Sequence, residues 1–282
     1  MASIIIAAHD EEAVIGRCLD ALRDQVTGAD VIVSANGCHD RTAQIAATHG
    51  ATVIDRVEPG KAAALNAAER VASTFPRVYL DADIVVPPEG LAHLLAQLEA
   101  PGVLAAVPRR RIELAGRPWP VRAYFAINER LPVFRDGLFG RGMIAVSAAG
   151  RERFDEFPTV IADDLFLDSQ FATPEKREAP EVEVVVAAPR RTRDLVARLV
   201  RVRRGNAQLR AAAESLGVEV RPGDRWAWLR EVVVPRPHLL VAAVPYVVIT
   251  ALAAWRARRD TGGWGRDEST RNLSAHSGGV PA

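Results

Sequence analysis

The sequence predicts an α/β protein with a mostly parallel central sheet flanked by helices, and three observations carry that expectation. Short apolar runs, at Ser3–Ala8, 30–34, 51–55, Arg77–Leu80 and 103–107, are separated by stretches whose apolar residues repeat at helical spacing. Polar residues cluster at the carboxyl end of several of these runs rather than being scattered along them. The 282 residues, 49% hydrophobic and 25% charged, have the composition of an ordinary globular protein, which excludes a wholly disordered chain. That length fits one large domain with an appendage.

The elements follow in order. Ser3–Ala8 is a buried strand. After His9-Asp10-Glu11-Glu12, Ile15, Cys18, Leu19 and Leu22 fall on one face of a helix. Residues 30–34 form the second strand, Asn36-Gly37 a turn, and Asp40 caps a helix running through Ala47. Residues 51–55 are the third strand, 61–74 a helix, Arg77–Leu80 the fourth strand, and Leu91, Leu94, Leu95 and Leu98 mark another helix before 103–107. Parallel strands of this kind need crossover helices, and ligands bind beyond the strands' carboxyl ends. Residues 109–142 hold Pro118, Trp119, Pro120 and Pro132 and read as an irregular excursion over a substrate cleft. A strand through Ser147, an acidic cluster at 158–170 and a last strand at 182–186 complete the sheet.

Charge narrows the function classes. With 36 basic against 35 acidic residues the net charge is +1, which argues against a nucleic-acid binder working by bulk charge. Cys18 and Cys38 are too few for a disulfide framework or a four-thiolate zinc site. Met1-Ala2 runs straight into Ser3-Ile4-Ile5-Ile6, too short an apolar opening for a secretory signal, so a cytoplasmic body is expected. Only Lys61 and Lys176 are lysines, so abundant arginine by itself carries no functional weight. Near the C-terminus, 239–255 is seventeen residues without a charge, interrupted by Pro245 and followed by Arg256, Arg258 and Arg259. Seventeen residues is about the lower limit for crossing a bilayer. Because Arg225, Arg230 and Arg236 precede the stretch, flanking charge assigns no direction. A helix lying on a membrane, one spanning it, and one packed in a core all stay open. The expected organisation is a domain over 1–225, a helical, membrane-associated segment over 226–260 and a disordered tail over 261–282.

Chemistry is concentrated in Tyr79-Leu80-Asp81-Ala82-Asp83-Ile84. Two carboxylates two residues apart project to one side at the end of an apolar strand, and crowding like charges is unfavourable unless a cation neutralises them. Hard oxygen ligands suit Mn²⁺ or Mg²⁺, which would in turn hold a diphosphate. The alternative is a solvated turn that ends in two acids. Gly60-Lys61 adds a cation before a helix, where amide dipoles favour phosphate. It is not a P-loop, because Asp55 stands where the loop's first glycine belongs and Ala62 follows the lysine. No Gly-x-Gly-x-x-Gly follows the first strand, which disfavours a nicotinamide enzyme.

Together these segments resemble the inverting family 2 glycosyltransferases over roughly residues 3–208. The run Ile4-Ile5-Ile6-Ala7-Ala8-His9-Asp10-Glu11-Glu12 is similar to the family's opening strand and Asn-Glu turn, with Asp10 in the Asn place. Asn36-Gly37-Cys38-His39-Asp40-Arg41-Thr42 resembles its Asn-Gly-Ser-x-Asp-x-Thr segment, and Gly60-Lys61-Ala62-Ala63-Ala64-Leu65-Asn66 its Gly-Lys-x-x-Ala-x-Asn helix start. Asp81-Ala82-Asp83 matches the metal-binding Asp-x-Asp, and Ala162-Asp163-Asp164 the acidic pair whose second member is the catalytic base. Ala35 replaces the Asp that often contacts the nucleobase, so uridine, guanosine and thymidine donors all stay open.

The resemblance implies a GT-A fold with a C-terminal apolar helical appendage, and an inverting, metal-dependent transfer from a nucleoside-diphosphate sugar to an acceptor hydroxyl. It implies Asp164 as catalytic base, Asp83 with Asp81 as metal ligands, and a donor site drawn from Ala8, His9, Asp10, Glu11, Asn36, Lys61, Asp81, Ala82 and Asp83. Arg203 and Arg204 are candidates to clamp the diphosphate, the alternative being a solvated or lipid-facing helix surface. Gly142 and Asp163 are the acceptor-side candidates, Gly142 serving either close approach or a tight turn. Trp119, Tyr124 and Phe125 line an acceptor groove or pack in a satellite core. Asp163 and Asp168 are neighbours able to raise the pKa of the base. The expected location is the inner face of the cell membrane, through 239–255, with a lipid-linked or cell-envelope acceptor. Two other classes compete: a sugar-phosphate nucleotidyltransferase, which lacks its glycine-rich opening loop here, and a scaffold that binds nucleotide sugars without turnover.

Overall fold

The computed structural model describes residues 1–25 and 29–259. The expected tail, 261–282, lies outside the described residues. Seven strands form one sheet: β1 (Ser3–Ala8), β2 (Asp30–Asn36), β3 (Thr52–Arg56), β4 (Arg77–Leu80), β5 (Ala105–Glu113), β6 (Met143–Val146) and β7 (Lys176–Ala187), in the spatial order β3-β2-β1-β4-β6-β5-β7. The β1, β2, β3 and β4 pairings are parallel, as the crossover spacing requires. β6 departs from that pattern and runs antiparallel to both β4 and β5, with Leu80 opposite Met143. It therefore begins, with Gly142 just before it, where β4 ends.

The helices are α1 (Ile15–Leu22), α2 (Thr42–Thr48), α3 (Lys61–Glu69), α4 (Gly90–Ala96), α5 (Trp119–Asn128), α6 (Pro132–Asp136), α7 (Ala148–Arg151), α8 (Asp163–Ser169), α9 (Thr192–Ala212) and α10 (Leu240–Arg259). Ile4, Ile5 and Ile6 of β1 are all fully buried because both sheet faces are covered. Ile4 and Ile6 pack with Ile15, Leu19 and Leu22 of α1 and Leu91 and Leu94 of α4. Ile5 faces the other way, into Leu65 of α3 and Leu165 and Phe166 of α8.

The 109–142 stretch is more regular than its prolines predict. β5 continues to Glu113, and α5 follows. Pro118 is the residue before α5 and Pro120 sits in its first turn, where a missing N–H costs no helical hydrogen bond. Along β5 and β7 the register jumps from Pro108↔Ala179 to Arg109↔Glu183, so Pro180, Glu181 and Val182 bulge out of the ladder. A third apolar cluster joins Ile112 of β5 to Val121 and Tyr124 of α5, Leu195 and Val196 of α9, and Tyr246, Ile249 and Ala253 of α10. The C-terminal helix, uninterrupted by Pro245, thus packs one face on α5 and α9. Its other face, with Leu240, Val241, Val244 and Val248, is 58–69% exposed.

Candidate active site

The first three strand ends are fastened to one another by Asn36. Its Nδ2 donates to the Ala8 carbonyl at 2.7 Å and its Oδ1 accepts from the Gly60 N–H at 3.0 Å. Its own carbonyl lies 2.6 Å from His9 Nδ1. With its amide occupied on both sides and only 2% of its surface exposed, Asn36 positions the β1 loop against the start of α3. Asp40 is not the N-cap expected from the sequence, a position held by Arg41, but it accepts from the Thr42 N–H at 2.9 Å and from the Glu12 N–H at 3.0 Å and so ties the start of α2 to the β1 loop. Asp10 is held at φ +52° and accepts from the His39 N–H at 2.7 Å. His9, Asp10 and Cys38 bring three ligand atoms within 4.8 Å of one another. Burial holds the Cys38 thiol above its ordinary pKa, and its Sγ lies 3.6 Å from the Ala8 carbonyl, so it clasps the loop as a thiol.

The acidic residues meet where β4, β6 and α8 converge. Asp81 N–H donates to the Gly142 carbonyl at 2.8 Å. Gly142 has φ +70°, and a Cβ there would stand 2.5 Å from Ile84 Cγ1 and 3.4 Å from Asp81 Oδ2. Close packing against the Asp81–Ile84 turn therefore requires glycine at this position. Lys61, the first residue of α3, places Nζ 2.9 Å from Asp81 Oδ1 and 2.9 Å from Asp163 Oδ2. Burial works against the Lys61 ammonium, but the charges of Asp163 and Asp81 outweigh it and raise its pKa. Solvent reaches Asp83, yet its concave surroundings desolvate it and the Asp81 charge adds repulsion; both raise its pKa, opposed by Arg198.

Asp164 sits in the first turn of α8. Its Oδ2 accepts from the Gly140 N–H at 3.0 Å and its Oδ1 from the Leu165 N–H at 2.8 Å. Burial and the neighbouring Asp163 charge raise its pKa to about 6, against the lowering effects of Lys61 and the Gly140 N–H. Helix-start acid and candidate base are one residue. Asp168 plays a different part from the expected one: only 2% exposed, it accepts from Lys176 Nζ at 2.7 Å and from the Leu138 N–H at 2.9 Å. It braces the loop before Gly140, and the electrostatic influence on Asp164 comes from Asp163 instead.

These groups border one cleft of about 1350 Å³. His9, Glu11, Asn36, Lys61, Asp81, Ala82, Asp83, Gly142, Asp163, Asp164 and Arg203 of the expected site line it; Ala8, Asp10 and Arg204 stand outside the lining. Tyr124 and Phe125 face the cleft, whereas Trp119 is 55% exposed elsewhere. The sequence reading missed Arg110 and Arg198, which also line it. In Arg109-Arg110-Arg111, strand alternation separates the middle residue from its neighbours: Arg109 is exposed and Arg111 pairs with Glu183 at 2.9 Å. That signal was readable only once β5 was known to extend this far.

Comparison with known proteins agrees with this architecture. Over 88 residues the chain is 38% identical to the 4,4'-diaponeurosporenoate glycosyltransferase of Staphylococcus aureus, a match covering 29% of this chain and only 24% of that relative. The fold superposes on the mannosyltransferase PcManGT of Pyrobaculum calidifontis, solved with GDP-Man and Mn²⁺, with a TM-score of 0.59 at 23% identity over 93% of this chain and 76% of that one. It also superposes on glucosyl-3-phosphoglycerate synthase of Mycobacterium tuberculosis, solved with Mn²⁺, UDP and glucosyl-3-phosphoglycerate, with a TM-score of 0.56 at 21% identity over 78% of this chain and 81% of that one. Residues 3–155, from the first strand through the acidic turn after β4 to the helix beyond β6, match the family profile itself. The chain accordingly belongs to glycosyl transferase family 2.

Proposed function

We propose that the protein moves a sugar from a nucleoside-diphosphate donor to an acceptor hydroxyl in one inverting displacement, with Asp164 as base. The observation that carries this reading is Asp164 itself. It is a carboxylate with a pKa raised to about 6, oriented by the Gly140 N–H and placed in the same cleft as Asp81 and Asp83. In the step proposed, a lone pair of the acceptor oxygen forms the new bond to the anomeric carbon. The bond from that carbon to the diphosphate oxygen breaks, its electrons leave with the diphosphate, and the acceptor proton passes to Asp164. His9, Glu11 and Lys61 border the donor end of the cleft, and Lys61 holds Asp81 and Asp163 in place beside the base.

The donor set fits a hard divalent cation: two carboxylates, Asp81 and Asp83, repel one another in a concave site and offer oxygen ligands only. When bound there, Mn²⁺ or Mg²⁺ supplies positive charge toward the departing diphosphate. The Mn²⁺ complexes of the two structural neighbours support the same choice of ion. A thermal-shift screen of UDP, GDP, dTDP and CDP, each with Mn²⁺ and with EDTA, tests the donor site, because a ligand of the folded state raises Tm. A rise for one nucleotide that EDTA removes is expected; no rise for any of them overturns the metal-dependent donor site.

The proposed location is the cytoplasmic surface of the membrane, with α10 lying on lipid. Residues 237–259 are long and apolar enough to cross a bilayer, with a mean hydropathy of 1.9 over an 18-residue window. Yet Tyr246, Ile249 and Ala253 are buried on α5 and α9, which leaves one apolar stripe, ending in Arg256, Arg258 and Arg259, free for an anionic surface.

A further inference from the structure

The cleft holds more positive charge than the donor site uses. Arg110 projects from β5 with its guanidinium 3.6 Å from the centre of the Phe134 ring, and its Nη1 donates to the Gly140 carbonyl at 3.3 Å. Its Nη2 is buried without a hydrogen-bond partner. Among the described residues no carboxylate lies within 4.0 Å of Arg110, Arg198 or Arg203. All three line the cleft, and all three act electrostatically on the Tyr124 phenol, which lines it too. Burial, together with the charges of Arg141 and Arg198, pushes the Arg110 pKa down to about 10, and Glu129 opposes this only in part. A buried guanidinium with an orphaned N–H is costly to keep unless a ligand accepts from it. Its planar fork matches phosphate oxygens in bidentate fashion.

Position separates Arg110 from the donor, whereas Arg198 also acts on Asp83. The candidate nucleotide residues of the sheet lie at the ends of β1, β2 and β4, whereas Arg110 is on β5, beyond β6 in the sheet; Arg203, by sequence a candidate diphosphate clamp, lies on α9. Gly140 joins Arg110 to the base: the Gly140 carbonyl accepts from Arg110 while its N–H donates to Asp164. Past the arginines the same cleft is walled by Tyr246, Val247, Ala251 and Ala254 of α10 and by Trp228.

We infer that Arg110, with Arg198 and Arg203, forms an acceptor subsite for a phosphate group carried within a few bonds of the reacting hydroxyl. The apolar wall beyond it takes a hydrocarbon portion of the same acceptor. This rests on the reading of Asp164 as the base.

Tryptophan-fluorescence titrations of the full chain with decyl phosphate, glycerol 3-phosphate and the uncharged decyl maltoside test it. Both phosphates are expected to bind. Arg110→Gln and, on the more accessible α9, Arg198→Gln should each weaken them at least tenfold, while Arg110→Lys restores part of the loss. Tighter binding of decyl phosphate than of glycerol 3-phosphate supports a lipid source of the phosphate, and equal binding overturns the role of the apolar wall and leaves a soluble source. Decyl maltoside binding as tightly as decyl phosphate, or phosphate affinities indifferent to both Gln variants, overturns the subsite. Loss of the nucleotide-induced Tm rise in these variants also overturns it, by assigning the arginines to the donor. Absence of that rise in the unaltered protein counts against the donor reading alone, since the phosphate titrations are read without nucleotide.

Discussion

The ammonium of Lys61 stands 2.9 Å from the carboxylate of Asp163, and the same nitrogen reaches Asp81 at the same distance. One of only two lysines in the chain thereby links the start of α3, the end of β4 and the start of α8. Burial raises the pKa of the candidate base, and the two charges of this contact nearest it then act in opposite directions, Asp163 upward and Lys61 downward.

Replacing Asp164 by Asn keeps the shape of the α8 start and removes the base. Transfer should fall by about 10²- to 10⁴-fold while the nucleotide-induced Tm rise persists. Equal loss of nucleotide binding and transfer contradicts the assigned role.

The pH profile follows from the raised pKa. Only ionised Asp164 accepts a proton, so kcat/KM should rise with pH through about 6 and level off above it. Stability has the opposite sign: a carboxyl whose folded pKa lies above its unfolded value favours the fold most below about 4, and that contribution is lost as pH rises through about 6. Because Lys61 lowers the Asp164 pKa, Lys61→Met should move the acidic limb of the rate profile to higher pH. An unmoved limb argues against Asp164 as the titrating group.

Asp83→Ala removes one of the two proposed oxygen ligands. The Mn²⁺-dependent part of nucleotide stabilisation should disappear, leaving the same Tm with Mn²⁺ and with EDTA. A full Mn²⁺ response in this variant moves the metal elsewhere.

Two glycines separate backbone strain from crowding. Gly102 has φ +79° with nothing within 4 Å of a built Cβ, so Gly102→Ala should cost about 1–2 kcal/mol in urea unfolding. Gly142→Ala adds a clash 2.5 Å from Ile84 Cγ1 and should cost about 1–3 kcal/mol more. It should also weaken Mn²⁺-dependent nucleotide binding by displacing Asp81. Equal costs at the two positions contradict the packing argument.

Val241 and Val244 are 69% and 66% exposed on the free face of α10. Val241→Glu/Val244→Glu should leave Tm nearly unchanged and abolish co-sedimentation with vesicles of anionic phospholipid. Failure of the unaltered protein to co-sediment removes the membrane proposal. Substitution is a sharper test than deleting the helix, because deletion would also strip the apolar face of α5 and α9.

The alternation of strand and helix, the burial of β1 on both faces, and the gathering of polar residues at the strand ends are all legible along the chain. Those features are local: periods of two and 3.6 residues, and turn residues at fixed offsets, are visible along the chain. The order of the motifs likewise located the Asp81/Asp83 turn and the acidic pair that opens α8. Which charges meet is settled by long-range packing. Nothing local brings Lys61 to Asp163, assigns Asp168 to Lys176 rather than to the base, or leaves Arg110 Nη2 buried without a hydrogen-bond partner while Arg111 finds Glu183. Nor does local pattern turn β6 antiparallel or choose which face of α10 stays uncovered. Each of these depends on sheet register and on packing between residues far apart in sequence, where a shift of one residue along a strand sends a side chain to the opposite face.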